Sequence, residues 1–186
     1  MGTKHSFEAS QGTELAKVGH TAFTCATPRE IIGMAQAGLG SDLLLANETV
    51  DPVRLRAMAA LLNNSRVTVA IDSDVTARMA AENGIKDVLI DVNVGMPRCG
   101  VLPDRAAALA TLAVSLGLNV RGVMGYEGHL MAVADRDEQR AKVRSAMGAL
   151  VECFDDVRAQ SGDDCTIISA GGTGTFDLYD PSDPVL

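Results

Sequence analysis

Tryptophan is absent, and two tyrosines and four phenylalanines leave an aromatic share of 3%. Positive charge is also scarce: 16 lysines and arginines against 24 acidic residues give a net charge of −8. No basic stripe stands out along the chain, which excludes a nucleic-acid backbone as partner. No apolar run approaches the ~20 residues that span a bilayer, so no membrane partner is expected. The opening "MGTKHSFEAS" has no apolar core, so it does not read as a signal peptide. Cys25, Cys99, Cys153 and Cys165 are widely spaced with no CxxC pair. They read as reduced thiols of a cytoplasmic protein, not as a zinc site or a disulfide frame.

What remains is ordinary globular material, 47% hydrophobic and 22% charged over 186 residues, enough for one domain. The chain repeats a single pattern, in which a short β-branched run is followed by a turn and an Ala/Leu/Met-rich helix. The runs predict strands over 21–26, 42–47, 66–72, 87–94, 120–127 and 165–170, with helices near 28–38, 51–64, 73–83, 104–116 and 137–161. Thr27-Pro28 and Asp51-Pro52 put a capping oxygen before a proline at the first helical position. Gly84, Gly117 and Gly162 stand where helices stop. Several runs are apolar on successive residues, as strands of a parallel sheet covered on both faces must be. Strict alternation therefore predicts an α/β fold.

The first strand lacks a GxGxxG turn, which argues against a dinucleotide fold. Polar residues close many strands (Asn47, Asp72, Asn93, Tyr126, Ser169), the habit of a (β/α)8 barrel. With six strands where a closed barrel needs eight, the expectation is an incomplete barrel, residues 1–186 forming one domain.

Four segments carry candidate chemistry. "SAGGTGT" (169–175) follows a strand, and its glycines let backbone N–H groups approach an anion while Thr173 and Thr175 add hydroxyls. Its bland alternative is a tight turn with no ligand. "DVNVGMPRCGV" (91–101) presents Arg98 just past a strand end, where a permanent positive charge can hold an oxyanion, or can simply sit on the surface. "GYEGH" (125–129) brings Tyr126, Glu127 and His129 to another strand end. Tyr126 and His129 suit proton transfer or ring contact, or else core packing and a solvated loop. Lys4 in "TKHS" suits a Schiff base only if burial or nearby charge keeps its amine neutral; spacing alone makes it a solvated terminal lysine. Asp72 reads as a helix cap, Cys25 and Cys165 as packing thiols, and "DRDEQRAKVR" (135–144) as a solvated helix face.

Together "TCAT" (24–27), "DLLLANE" (42–48), "DVNVGMPRCGV", "GYEGHLM" (125–131) and "SAGGTGTFD" (169–177) resemble the D-threonine aldolase / D-serine dehydratase family. These are pyridoxal-phosphate enzymes with an alanine-racemase type of barrel, and the likeness runs along nearly the whole chain. The resemblance implies that Gly171, Gly172, Thr173 and Gly174 take the cofactor's phosphate. It further implies that Arg98 contacts its ring oxygen, that Tyr126 lies against its ring, and that Lys4 is the cofactor lysine. The Arg-Pro-His that usually precedes that lysine is missing, and Glu127 stands where the aldolases carry a histidine, with His129 two residues on.

The implied activity is a lyase acting on D-3-hydroxy amino acids by aldol cleavage or by dehydration. An amino-acid racemase or a non-catalytic pyridoxal-phosphate-binding protein is the alternative. The resemblance also implies a homodimer in full-length members. It implies a C-terminal β-domain holding a divalent metal (zinc or manganese), for which this sequence shows no ligands. The chain is thus expected to be partial.

Overall fold

Each helix begins where its sequence supplies an oxygen or a proline. The computed structural model describes residues 12–14 and 16–179, so Lys4 lies outside the described residues. In chain order the elements are β1 (Ala22–Cys25), α1 (Pro28–Gln36), β2 (Asp42–Leu45), α2 (Pro52–Ala59), β3 (Arg66–Ile71) and α3 (Asp74–Glu82). There follow β4 (Asp87–Asp91), α4 (Pro103–Ser115), β5 (Asn119–Met124), α5 (Arg136–Ser161) and β6 (Ile167–Ser169). Thr27 and Glu30 form a reciprocal capping box on α1, and Asp51 accepts from Val53 N and Arg54 N at the start of α2. On α3 the cap is Ser73, boxed with Thr76, and not Asp72. Asp72 lies one residue too early and instead accepts from the Thr76 hydroxyl and from Gly100 N.

The six strands are all parallel and ordered β1-β2-β3-β4-β5-β6. Alternate residues turn to opposite faces. Leu43, Leu45, Val67, Val69, Val88, Ile90, Val120 and Val123 belong to the main core that the helices cover. Each large aliphatic side chain buried there contributes about 2 kcal/mol. The other face is concave. Strands lie ~4.8 Å apart, so β2 and β5 would stand ~14 Å apart in a flat sheet. Yet Arg121 on β5 grips Asp42 on β2 with two bonds of 2.7 and 2.6 Å, and donates to Thr68 on β3 at 2.6 Å. The sheet must curl to permit this. Residues from both edge strands, Thr24 and Ser169 among them, accordingly line one interior cavity of about 340 Å³. The architecture is an incomplete (β/α)8 barrel, as the strand count predicts.

Arg121 occupies a bulge. Val120 pairs with Val88 but Gly122 pairs with Leu89, so Arg121 is an extra residue. A Cβ at Gly122 would stand 1.9 Å from the Ile167 carbonyl oxygen, which restricts this position to glycine. At the opposite end of the strands, Arg66 and Asn119 bond Asp87; burial pushes that carboxyl up, but these bonds hold it below its usual range. Among the described residues no helix is long and apolar enough to cross a membrane.

Candidate functional site

The carboxyl ends of β4, β5 and β6 converge on one cavity. Past β4 the chain doubles back, with Val92 bridging to Val101. The return needs Gly100, whose φ is +93° and where a Cβ would stand 2.6 Å from Asn93 N. This loop carries Arg98, whose guanidinium carbon lies 5.3 Å from the centre of the Tyr126 ring, within cation–π range. Thr24, Ala46, Arg98, Met124, Gly125, Tyr126, Ser169, Ala170 and Gly171 line a cavity of about 360 Å³. A more open hollow beside the same glycine loop is lined by Ala170–Thr173, Phe176 and Tyr179.

The glycine loop turns on Gly171 (φ +95°) and closes on itself. Thr175 N and Phe176 N donate to the Gly172 carbonyl at 3.0 and 2.9 Å, and Gly172 N donates to Thr175 Oγ1 at 3.1 Å. A Cβ at Gly172 would stand 3.0 Å from both Met131 Sδ and Tyr126 Cε2. The N–H groups of Thr173 and Gly174 find no acceptor among the described residues. Two adjacent donors left open on a tight glycine turn suit an anion.

Two anchors hold this loop, and the sequence reading foresaw neither. Glu127, wholly buried, accepts from Thr175 Oγ1 at 2.6 Å, Tyr179 OH at 2.9 Å and Gly171 N at 3.3 Å. Burial first, then this carboxylate, pushes the Tyr179 hydroxyl's pKa up. From α5, the buried Gln139 donates to the Leu130 and Gly174 carbonyls at 2.8 and 3.2 Å. Arg136 reaches the same Gly174 carbonyl at 3.3 Å and pairs with Asp177. The stretch 135–144 is therefore only partly the solvated face its charge suggests. A polar residue inside a charged run is the one sequence signal that Gln139 offers.

Beside Arg98 lies a second polar group. Ligand atoms of Glu48, Asp91 and Cys99 fall within 4.8 Å of one another. Burial and the neighbouring Glu48 carboxyl push Asp91 up to about 8, so it holds a proton at pH 7. Burial also raises the Cys99 thiol to about 11 despite its bond to Arg98, which makes it a poor nucleophile. Of the residues picked from the sequence, Arg98, Tyr126 and Gly171 line the cavity, and the loop continues through Gly172, Thr173 and Gly174. His129 does not line it. It stands exposed on the turn Gly128–Leu130, its Nε2 3.1 Å from where a Cβ on Gly95 would lie.

An incomplete parallel barrel with its polar strand ends gathered round one cavity and an anion-type loop defines a small-molecule-binding domain of the barrel class. Residues 5–184 match the alanine racemase N-terminal domain family, and the chain belongs to that family. It is 31% identical over 168 residues to D-threonine aldolase of Arthrobacter sp., covering 87% of this chain and 44% of that protein. It is 25% identical over 166 residues to 3-hydroxy-D-aspartate aldolase of Paracoccus denitrificans (strain Pd 1222), covering 85% and 42%. The crystal structure of D-threonine aldolase from Filomicrobium marinum superposes with a TM-score of 0.82 at 30% identity, covering 91% of this chain and 47% of that one. The chain thus spans less than half the length of these relatives.

Proposed function

We propose that this chain is the cofactor-binding barrel of a pyridoxal-phosphate-dependent lyase that acts on D-3-hydroxy amino acids. The observation that carries the reading is the pair of open N–H groups on Thr173 and Gly174, set on a loop beside the cavity that Arg98 and Tyr126 line. The residues fit the group. Gly171–Gly174 would take a phosphate, Arg98 a ring oxygen, and Tyr126 one face of the ring. When bound, pyridoxal phosphate supplies a conjugated electron sink for a bond broken at an amino acid's α-carbon.

This chain's own residues do the rest. Arg98 supplies fixed positive charge at the mouth, with Cys99, Asp91 and Glu48 close by. Tyr126 is held between Arg98 and Gly172, which leaves its ring little freedom. Proton handling belongs in this proposal to Tyr126, which lines the cavity, and to His129, which stands exposed beside Gly95. Lys4 is the proposed cofactor lysine and lies outside the described residues. The relatives named as aldolases support the substrate class. A cytoplasmic location, a homodimer and a divalent metal held elsewhere in the enzyme belong to the same proposal, with no metal ligand assigned here.

The test is cofactor binding by the 186-residue chain. Adding pyridoxal phosphate should raise a visible absorbance that borohydride converts to a covalent adduct, which peptide mass spectrometry maps to Lys4 and Lys4→Ala abolishes. An adduct at another lysine overturns the Lys4 assignment, and no saturable absorbance overturns the cofactor reading. Glycine formed from D-threonine by a longer form of the enzyme supports the lyase, whereas interconverted D and L enantiomers would make it a racemase.

A further inference from the structure

We infer that Glu127 is a positioning residue that sets which donors of the glycine loop face a ligand. The inference rests on the cofactor reading above and deepens it. Glu127 is 0% exposed, one residue beyond Tyr126, and its two oxygens receive three donors from the loop and its exit. Gly171 N–H is consumed directly. The Thr175 hydroxyl, by giving its proton to Glu127, is left with lone pairs that accept Gly172 N–H at 3.1 Å. The relay runs from Gly172 N–H to the Thr175 hydroxyl to the carboxylate.

In this way the first two N–H groups of the loop are spent inside the protein, while those of Thr173 and Gly174 are left for an anion. Without the carboxylate the Thr175 proton has its next acceptor in the Gly172 carbonyl, 3.3 Å away, and Gly171 N–H loses its acceptor. The loop is then no longer held in its anion-accepting shape before the anion arrives.

Charge and geometry make opposite predictions here, which makes the inference decidable. A buried negative charge behind an anion seat repels the anion, so if charge alone mattered Glu127→Gln would tighten phosphate binding. A glutamine of the same shape keeps one accepting oxygen, but turns an N–H₂ donor toward either Gly171 N–H or the two hydroxyls. If the carboxylate positions the loop, phosphate binding weakens. Losing hydrogen bonds to a charged group predicts a loss of about tenfold to a hundredfold.

The experiment titrates the chain with pyridoxal phosphate and with pyridoxal, which lacks the phosphate, reading visible absorbance for each. The expected result is a Glu127→Gln protein that loses at least about tenfold in affinity for pyridoxal phosphate, with pyridoxal unchanged within about twofold. Thr175→Val should behave like Glu127→Gln and Thr175→Ser like wild type, and this pair carries the test if Glu127→Gln does not fold. Equal losses for both compounds, or unchanged or tighter binding of pyridoxal phosphate, overturn the inference. If the wild-type chain itself does not distinguish the two compounds, the cofactor reading fails, and hydrogen exchange in the ligand-free protein still decides the role of Glu127. Faster exchange at the Thr175 and Phe176 amides in Glu127→Gln supports it; wild-type exchange there overturns it.

Discussion

The contact that most directly tests the curl of the sheet is the grip of Arg121 on Asp42. The side chain of Arg121 is 10% exposed and that of Asp42 33%. Asp42→Leu strands a guanidinium in the barrel interior with Thr68 as its remaining acceptor. Breaking a fully buried pair costs ~3–5 kcal/mol, and the water that reaches Asp42 lowers the expected loss here to about 2–3 kcal/mol. Arg121→Met leaves a carboxylate that water can reach, and should cost about 1–2 kcal/mol. The double variant removes both charges from an interior that can close over apolar atoms. It should lie within about 1 kcal/mol of wild type, a coupling of at least about 2 kcal/mol. With no tryptophan in the chain, urea unfolding followed by far-ultraviolet circular dichroism is the assay. Single losses that add to within about 0.5 kcal/mol of the double loss would refute the reasoning, because the two charges would then not be holding each other.

Three further outcomes follow from the same structure. Folded Asp91 keeps its proton to about pH 8, whereas an unfolded aspartate gives it up near 4. Its contribution to stability is thus complete below about pH 4 and lost by about pH 8, and Asp91→Asn should flatten the fall in urea midpoint between those values. An undiminished fall in that variant would show that other groups cause it. Cys99 should react with iodoacetamide at pH 8 roughly a hundredfold more slowly than an unperturbed cysteine, since its thiol is raised to about 11; an ordinary rate, read by peptide mass spectrometry, would show that this half-buried thiol is not held protonated. Gly122→Ala, which brings a Cβ to 1.9 Å from a backbone oxygen at a φ of +149°, should cost more than about 4 kcal/mol and leave little folded protein by circular dichroism. A variant that melts close to wild type would mean that β5 and β6 are not held as described.

What could be read along the chain is what the chain decides locally. Thr27 and Asp51 cap helices because their oxygens bond amides two and three residues on, and the strands follow from short runs of apolar residues. The glycine loop and Arg98 were legible for a related reason, since each sits just past a strand end, where a parallel barrel gathers its polar residues. Long-range pairings leave no such trace. Glu127 meets its partners 44, 48 and 52 positions away, and Arg121 meets Asp42 across 79. "VRGVM" reads as part of one unbroken strand because a single extra residue does not disturb composition. Asp72 was misread by a single position, since Ser73 offers a cap of equal quality. His129 is three residues from Tyr126, but the intervening turn at Gly128 carries it toward Gly95 and out of the cavity lining.

The bulge at Arg121 divides β5 into two reading frames. Below it, Val120 faces the helices and Arg121 the interior; above it, Val123 faces the helices and Met124 the interior, three positions from Arg121 where unbroken alternation would put two or four. One strand therefore supplies a charged plug to the barrel floor and aims Met124, Gly125 and Tyr126 at the mouth. Deleting a single residue at 121 would remove the bulge and restore unbroken alternation against β4, with both halves still facing as they do and only the charged plug lost. Substitutions on either side of the bulge then answer to different selective demands, the lower half to barrel closure and the upper half to whatever occupies the cavity.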